Sequence, residues 1–430
     1  MTGLKSVITC DLEGRIETFN QGAQEIFGYD PDEVIGKKRV SLFSPGLIVL
    51  GHVQNWLKTA REQGEFRSRT VFLRSDGSPF TADVRITPTF RAGKQIGYCG
   101  VTTPLPEIPP AQAMPKVTLA TRVFAWLVIT RAPFLTATLV PILAAAAWVY
   151  TRSGGAVFPW ILFWLVLLGG IAIHISANTF NDYFDWTSGT DKANNEYFLP
   201  YTGGSRSIEL GLITERKLLV VAWTSFLIAA LAGLPILLLR GPGLLLFAIA
   251  GAFSAYYYTA PPLRLAARKG LGELIVGLNF GPLMTAGTVF ALTGQISWLD
   301  FLIGLPIGLL TTAILWINQF PDVAADAMTG KYNLVVVLGK ERARWGYLLI
   351  VAAAFLSVLI SALVGILPWT VLLVLAALPL AVYACLVLFR RYTERSLVSA
   401  NSTTILLHLM VGLLLIAGLL LSSGISKLFG

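Results

Sequence analysis

Charge is scarce in this chain. Only 13% of its 430 residues are Asp, Glu, Lys or Arg, where a soluble globular domain carries about a quarter. That shortage excludes a wholly soluble protein. Cysteine is scarce too: Cys10, Cys99 and Cys385 are the whole complement, and no two have a paired spacing. Neither a disulfide framework nor a cysteine-built zinc site is indicated. Met1 to Cys10 lacks an apolar core segment, so no cleavable signal peptide is expected. The N-terminal part is therefore expected to stay in the cytoplasm. The formal charge is +9, but the basic residues gather in short loops beside apolar runs, as the positive-inside rule requires. No nucleic-acid partner is expected.

What is abundant is hydrocarbon: 55% of the residues are hydrophobic. The distribution is uneven. Residues 1 to about 105 have ordinary charge density, and apolar runs begin near Val123. The expected fold is an all-α polytopic membrane bundle of about nine transmembrane helices, preceded by a soluble α+β domain. The expected divisions are 1–104 for the soluble domain, 105–117 for a proline-rich linker and 118–430 for the membrane domain. The prolines of that linker forbid helix and favour extended polyproline geometry.

The nine candidate spans are 132–151, 158–178, 217–239, 243–260, 271–293, 299–318, 345–367, 369–389 and 403–423. Each is near the length that crosses a bilayer as a helix. Arg122, Arg131, Arg206, Arg264, Lys331, Arg344 and Arg391 fall on the N-terminal side, with further lysines and arginines. Only Arg152, Arg240 and Lys427 fall opposite. This asymmetry predicts an integral protein of the plasma (inner) membrane with its N-terminus inside.

Two acidic clusters stand at the ends of apolar runs. The first is Asn178-Thr-Phe-Asn181-Asp182-Tyr-Phe-Asp185, continuing to Asp191. The second is Asn318-Gln-Phe-Pro321-Asp322-Val-Ala-Ala-Asp326, continuing to Gly330-Lys331. Acids beside hydrocarbon are costly and mark function. Asp182 and Asp185 are three apart, and Asp322 and Asp326 four apart, so each pair shares a helix face. Pro321 is tolerated in a first helical turn or at a kink. Four or five oxygen ligands suit Mg²⁺, which takes carboxylates together with phosphate oxygens and water. The competing reading is a solvated helix end with Asp as a cap.

Gly203-Gly204-Ser205-Arg206 lets backbone N–H groups approach a phosphate, with Arg206 to grip it. Lys331 directly follows the second cluster, and Arg264 lies near the same level. Tyr258, in Tyr256-Tyr-Tyr258-Thr259-Ala-Pro261-Pro262, is either an interfacial anchor or an aromatic face for positive charge. Glu273 is either a helix cap or a catalytic group.

Residues 5–104 read as short strands and helices. Asp11-x-x-Gly14-x-Ile16, Asn20, Phe27-Gly28-Tyr29, Glu33-x-x-Gly36 and Arg74-x-Asp76-Gly77 resemble a PAS domain. Such modules sense or dimerise, so a PAS-mediated dimer or a PAS ligand is a possible partner. His52 stands where a haem ligand could sit, and a solvated or capping histidine is the alternative.

From residue 120 onward the ordered motifs resemble the UbiA-type intramembrane aromatic prenyltransferases, and most of all the 1,4-dihydroxy-2-naphthoate polyprenyltransferase branch. The motifs are Asn178-x-x-Asn181-Asp182-Tyr183-x-Asp185, Gly203-Gly204-Ser205, Tyr258-Thr259-x-Pro261-Pro262 and Asn318-x-Phe-Pro321-Asp322-x-x-Ala-Asp326-x-x-x-Gly330-Lys331. The resemblance implies Mg²⁺-dependent transfer of a polyprenyl group from its diphosphate to an aromatic acceptor, with 1,4-dihydroxy-2-naphthoate giving a menaquinone precursor. By that resemblance Asn181, Asp182, Asp185, Asp322 and Asp326 hold metal and diphosphate. Asp191 assists as metal ligand or on the acceptor side, and Arg206 and Lys331 are candidates for the phosphate charge. Asp182, Asp185, Asp191, Asp322, Asp326 and Tyr258 are the expected catalytic residues, and Asn178, Asn181, Ser205, Arg206, Asn318, Lys331 and Arg264 the expected substrate-binding ones. Homogentisate, 4-hydroxybenzoate or a tetrapyrrole are alternative acceptors. A PAS-coupled receptor or a cation transporter are the other classes. A receptor predicts an output module, and none is expected after Ser423. A transporter predicts acids near mid-bilayer.

Overall fold

The computed structural model describes residues 4–44, 46, 53–114, 116–153, 158–194 and 204–429. The chain divides into two compact units. One comprises Met1–Ile129 with Arg206–Thr214, the other Thr130–Ser205 with Glu215–Gly430.

In the first unit, Ser6–Asp11 (β1), Ile16–Phe19 (β2), Phe66–Leu73 (β3), Pro79–Arg91 (β4) and Lys94–Pro104 (β5) form one antiparallel sheet in the order β2-β1-β5-β4-β3. Strand alternation turns Ile8 and Cys10 inward. The helix Gln21–Phe27 starts where the Asn20 side chain accepts from the Ala23 N–H, and ends at left-handed Gly28. It delivers Phe27 to the core, with its ring 4.3 Å from that of Phe43 and 5.5 Å from that of Phe80. Burial pushes the Cys10 thiol up to about 12, so it stays protonated at neutral pH. His52 lies outside the described residues.

The linker differs from expectation. Pro110–Ala113 is a short helix with proline in its first turn. A first-turn proline forfeits no internal hydrogen bond, so prolines there start a helix rather than forbid it.

Among the described residues of the second unit, eight helices are long and apolar enough to cross a membrane: Ala132–Arg152, Trp160–Thr187, Glu215–Arg240, Leu271–Thr293, Trp298–Met328, Leu334–Leu363, Trp369–Arg391 and Arg395–Ser422. The expected span at 243–260 is the shorter helix Leu244–Tyr257. Its 14 residues rise about 21 Å, less than the ~30 Å of hydrocarbon. Pro261 and Pro262, just beyond, prevent its extension. The expected span at 345–367 starts earlier, at Leu334, because Asn333 caps that helix by accepting from the Val336 N–H. A break at Gly339 (φ 74°) separates this first turn from the rest. Leu238, Leu246, Ile249, Leu349 and Leu363 face outward and exposed, as they must where the solvent is lipid.

Glycines set how closely two of these helices meet. A Cβ on Gly308 would stand 2.2 Å from the Gly277 carbonyl oxygen, and one on Gly304 2.4 Å from that of Gly281. Backbones can approach this closely only without side chains. This contact holds the Leu271–Thr293 span against Trp298–Met328 and fixes the height of the second acidic cluster.

Candidate active site

Both acidic clusters are helical. Asp182 and Asp185 lie in the last two turns of Trp160–Thr187, and Asp322 and Asp326 in those of Trp298–Met328. A capping role is thereby excluded, because Asp caps helix N-termini. At a C-terminus the helix dipole opposes negative charge, so these four carboxylates sit where the backbone disfavours them. They need cations.

Among the described residues two cationic side chains pair with them. Lys331 Nζ lies 3.5 Å from Asp185 Oδ2 and 3.8 Å from Asp326 Oδ1, joining the two clusters. The Arg131 guanidinium pairs with Asp182 Oδ1. Amides complete the cradle. Asn194 Nδ2 donates to Asp322 Oδ1 at 2.7 Å, and Asn333 Nδ2 to Asp326 Oδ2 at 2.7 Å. The Ser205 backbone N–H donates to Asp182 Oδ1 at 3.3 Å. Gly204 precedes it with φ +76°, and a Cβ there would stand 3.1 Å from both Arg131 Nη2 and Asp182 Oδ1. Only glycine meets both conditions. Gly203 lies outside the described residues.

Pro321 stands in the interior of its helix, not in a first turn. Proline frees the carbonyl four residues back, here that of Ile317. Asn401, from the last long helix, donates Nδ2 to that oxygen at 3.3 Å and to Asn318 Oδ1 at 2.7 Å. The carbonyl that Pro321 frees beside Asp322 is thus satisfied from a neighbouring helix.

The cradle closes one end of a cavity of about 660 Å³. Asn178, Asn181, Asp185, Asp191, Asn194, Tyr258, Asn318, Asp322, Asp326, Lys331 and Arg131 line it. Away from them the lining is mostly apolar, with Ile142, Leu165, Phe226, Phe247, Leu283 and Met284 among it, interrupted by a few polar side chains such as Thr138, His174, Ser254 and Asn279. Tyr258 and Arg264 border a small adjoining recess with Asp185 and Lys331. Arg206 departs from expectation. It is not among the cavity-lining residues; it groups with the other compact unit and pairs with Glu209. Ser205 contributes through its backbone N–H.

The donor set fits a hard cation. Asn181 Oδ1 and Asp182 Oδ2 are buried acceptors with no hydrogen-bond partner among the described residues. Among those residues no three carboxylates, imidazoles or thiols converge closely enough to cage an ion alone. Mg²⁺ needs no such cage, since it binds through one or two carboxylates plus substrate phosphates.

Glu273 is structural in its contacts. Its Oε1 accepts from the Leu334 N–H at 2.9 Å and from Gln319 Nε2 at 3.1 Å. It therefore serves the N-terminus of a different helix, Leu334–Leu363. Arg131 is one positive-inside arginine among many in the sequence, and nothing in its spacing singles it out. Asn401 and His174 do carry a signal: each is a polar residue within an apolar run.

Residues 138–409 match the UbiA prenyltransferase family. The chain belongs to that family. Residues 4–102 match the PAS domain, in keeping with the α+β unit. A 2-carboxy-1,4-naphthoquinone phytyltransferase of Synechocystis sp. is 30% identical over 310 residues, covering 71% of this chain and 95% of the relative. A 1,4-dihydroxy-2-naphthoate octaprenyltransferase of Mycobacterium tuberculosis is 34% identical over 244 residues, 56% of this chain and 76% of the relative. A UbiA homolog from Archaeoglobus fulgidus, solved bound to DMAPP and Mg²⁺, is 16% identical and covers 68% of this chain and 99% of its own, with a TM-score of 0.49. As a UbiA-family protein the chain is an integral-membrane prenyltransferase, transferring a prenyl group to an aromatic acceptor.

Proposed function

We propose that this prenyltransferase takes a polyprenyl group from its diphosphate, with Mg²⁺, and attaches it to 1,4-dihydroxy-2-naphthoate at the cytoplasmic face of the plasma membrane. One observation carries the reading. Carboxylates from two helices far apart in sequence share Lys331 at one end of a cavity whose remaining lining is mostly apolar. Such a cavity suits a molecule with a polyanionic head and a hydrocarbon tail. The naphthoate acceptor is supported by the names of the relatives from Synechocystis and M. tuberculosis. The cytoplasmic face follows from the lysine and arginine asymmetry of the loops.

In this reading Asn181, Asp182, Asp185, Asp322 and Asp326 hold the metal, and Asp191 assists at the rim. Bound there, Mg²⁺ supplies positive charge to the diphosphate as it departs. Lys331 adds a fixed positive charge at the same place, and Arg131 holds Asp182 in register. Asn178, Asn318, Ser205 and Arg264 orient the head group. As the allylic C–O bond breaks, positive charge grows on the tail's first carbon, and Tyr258, which lines the cavity with the cradle, supplies an aromatic ring to stabilise it. The naphthoate ring carbon attacks, a C–C bond forms, and the ring carboxylate leaves as CO₂. The apolar walls exclude water, which would otherwise intercept the reacting carbon.

The test is a membrane assay with Mg²⁺, polyprenyl diphosphate and a panel of aromatic acceptors, read by mass spectrometry. A prenylated naphthoquinol, lost on chelation and restored by Mg²⁺, is expected. Turnover of another acceptor with none of the naphthoate overturns the acceptor assignment.

A further inference from the structure

His174 lines the same cavity, and nothing in the cradle uses it. It lies in Trp160–Thr187, seven residues before Asn181, which is about 10 Å deeper along the helix axis. The residue is 3% exposed. Its Nδ1 is 2.8 Å from Thr138 Oγ1. Its Nε2 is buried with no hydrogen-bond partner among the described residues. A buried polar atom left unpaired is destabilising and calls for a partner that comes and goes.

The neighbour fixes the tautomer. Thr138 is fully buried, and its hydroxyl makes no bond to its own helix of the kind Thr179 and Thr311 make. Among the described residues the one acceptor within hydrogen-bond distance of that hydroxyl is His174 Nδ1. With Nδ1 accepting, the ring proton sits on Nε2. The cavity therefore receives an N–H donor. An isoprenoid tail has no oxygen to accept from it, whereas an oxygenated aromatic ring does. The Phe280 ring stands edge-on to the imidazole, with centroids 5.9 Å apart, and also lines the cavity. It offers a flat apolar wall beside the donor. Beyond His174 the same helix face continues as Gly170, Gly169 and Leu165, which offer no polar side chain. The His174 backbone carbonyl also accepts from Asn178 Nδ2 at 3.0 Å, tying the ring's position to the head-group end.

We propose that His174 is an acceptor-binding residue, whose Thr138-oriented Nε2–H donates to a phenolic or carboxylate oxygen of the aromatic acceptor. This rests on the prenyl-transfer reading above and assigns the acceptor its place within that cavity.

The experiment is steady-state kinetics of the full chain in lipid vesicles, varying each substrate in turn. His174→Leu is expected to raise the acceptor KM about tenfold or more, the effect of losing one buried hydrogen bond. It should leave the prenyl diphosphate KM within about twofold. His174→Gln, which restores a donor, should recover most of the loss, and Thr138→Val should give a smaller rise in acceptor KM. An unchanged acceptor KM in His174→Leu, or an equal rise in both KM values, overturns the proposal. If wild type prenylates 4-hydroxybenzoate and not the naphthoate, the naphthoate reading fails, and the same variants judge His174 on the KM for 4-hydroxybenzoate. If wild type prenylates no aromatic acceptor, both fall.

Discussion

The ammonium of Lys331 lies 3.5 Å from Asp185 Oδ2, although Asp185 closes one long helix and Lys331 follows the end of another. Burial alone would lower the lysine's pKa, but the carboxylates of Asp185 and Asp326 more than reverse that, so it lies above the ordinary lysine value. A raised lysine pKa contributes stability that is complete below the unfolded value of about 10.4 and is lost only as pH climbs past the folded one. Lys331 therefore stays charged through the whole physiological range.

Replacing that charge should damage turnover and ease metal entry together. Lys331→Met is expected to lower kcat/KM about a hundredfold, the usual scale for losing one preorganised charge at a departing anion. The same change removes the competitor for Asp185 and Asp326, so half-saturation should come at lower Mg²⁺. Wild type should show no limb between pH 6 and 9 that Lys331→Met abolishes. Initial rates across Mg²⁺ and pH series test all three. A higher Mg²⁺ requirement in the variant would show that Lys331 helps to hold metal instead.

Much of the site is legible in the sequence because an acid next to hydrocarbon is too costly to persist without a role. The pairs Asp182/Asp185 and Asp322/Asp326 and their helical faces follow from local spacing, whereas the two helices run on to Thr187 and Met328, past the expected span ends at 178 and 318. The partners of these carboxylates do not follow from spacing. Arg131 reaches Asp182, and Asn194 reaches Asp322, across long sequence separations set by tertiary folding. Arg206 shows the opposite error. Its neighbours in sequence suggest a phosphate contact, while its contacts group it with the other compact unit. The short helix Leu244–Tyr257 is over-extended in the sequence reading for a related reason: hydropathy continues to Ala260, whereas the following prolines set the true end.

Glu273 should prove to be a stability residue. Its carboxylate is bonded to the Leu334 N–H and to Gln319 Nε2, and it does not line the cavity. Glu273→Ala leaves two buried donors without a partner, a loss of about 1–3 kcal/mol for each unsatisfied group. Glu273→Gln keeps an acceptor oxygen and should lose less. Thermal unfolding of the solubilised protein should rank wild type above Glu273→Gln above Glu273→Ala. Both KM values should stay within about threefold, since the carboxylate lies behind the cavity wall. A Glu273→Gln variant with native stability and no activity would instead make the carboxylate catalytic.

Arg131 and Asp182 should behave as one unit. The guanidinium is paired with a nearly buried carboxylate. Burial would lower its pKa, but Asp182 and the neighbouring carboxylates outweigh that and raise it. Removing either partner leaves the other uncompensated. Arg131→Ala, Asp182→Ala and the double variant should therefore be strongly non-additive in kcat/KM, with a coupling of about 1–3 kcal/mol. Additive losses would mean that the two residues act at separate steps.

The carbonyl freed by Pro321 gives the most demanding test, because the residue that satisfies it never touches substrate in the proposed reaction. Proline removes the donor that would have satisfied the Ile317 carbonyl, and Asn401 Nδ2 replaces it at 3.3 Å. The same amide holds Asn318 Oδ1 at 2.7 Å. Asn401 thus positions the turn that carries Asn318 and Asp322. Asn401→Leu keeps the volume and removes the donor, leaving two buried oxygens without it, and should cost about 2 kcal/mol of stability. If that amide aims Asp322, the Mg²⁺ needed for half-maximal rate should rise severalfold, while the acceptor KM stays near wild type. Asn401→Gln reaches one methylene further with the same amide and should recover part of that shift. A destabilised Asn401→Leu protein with wild-type Mg²⁺ dependence would mean that the amide supports the helix without steering its carboxylate.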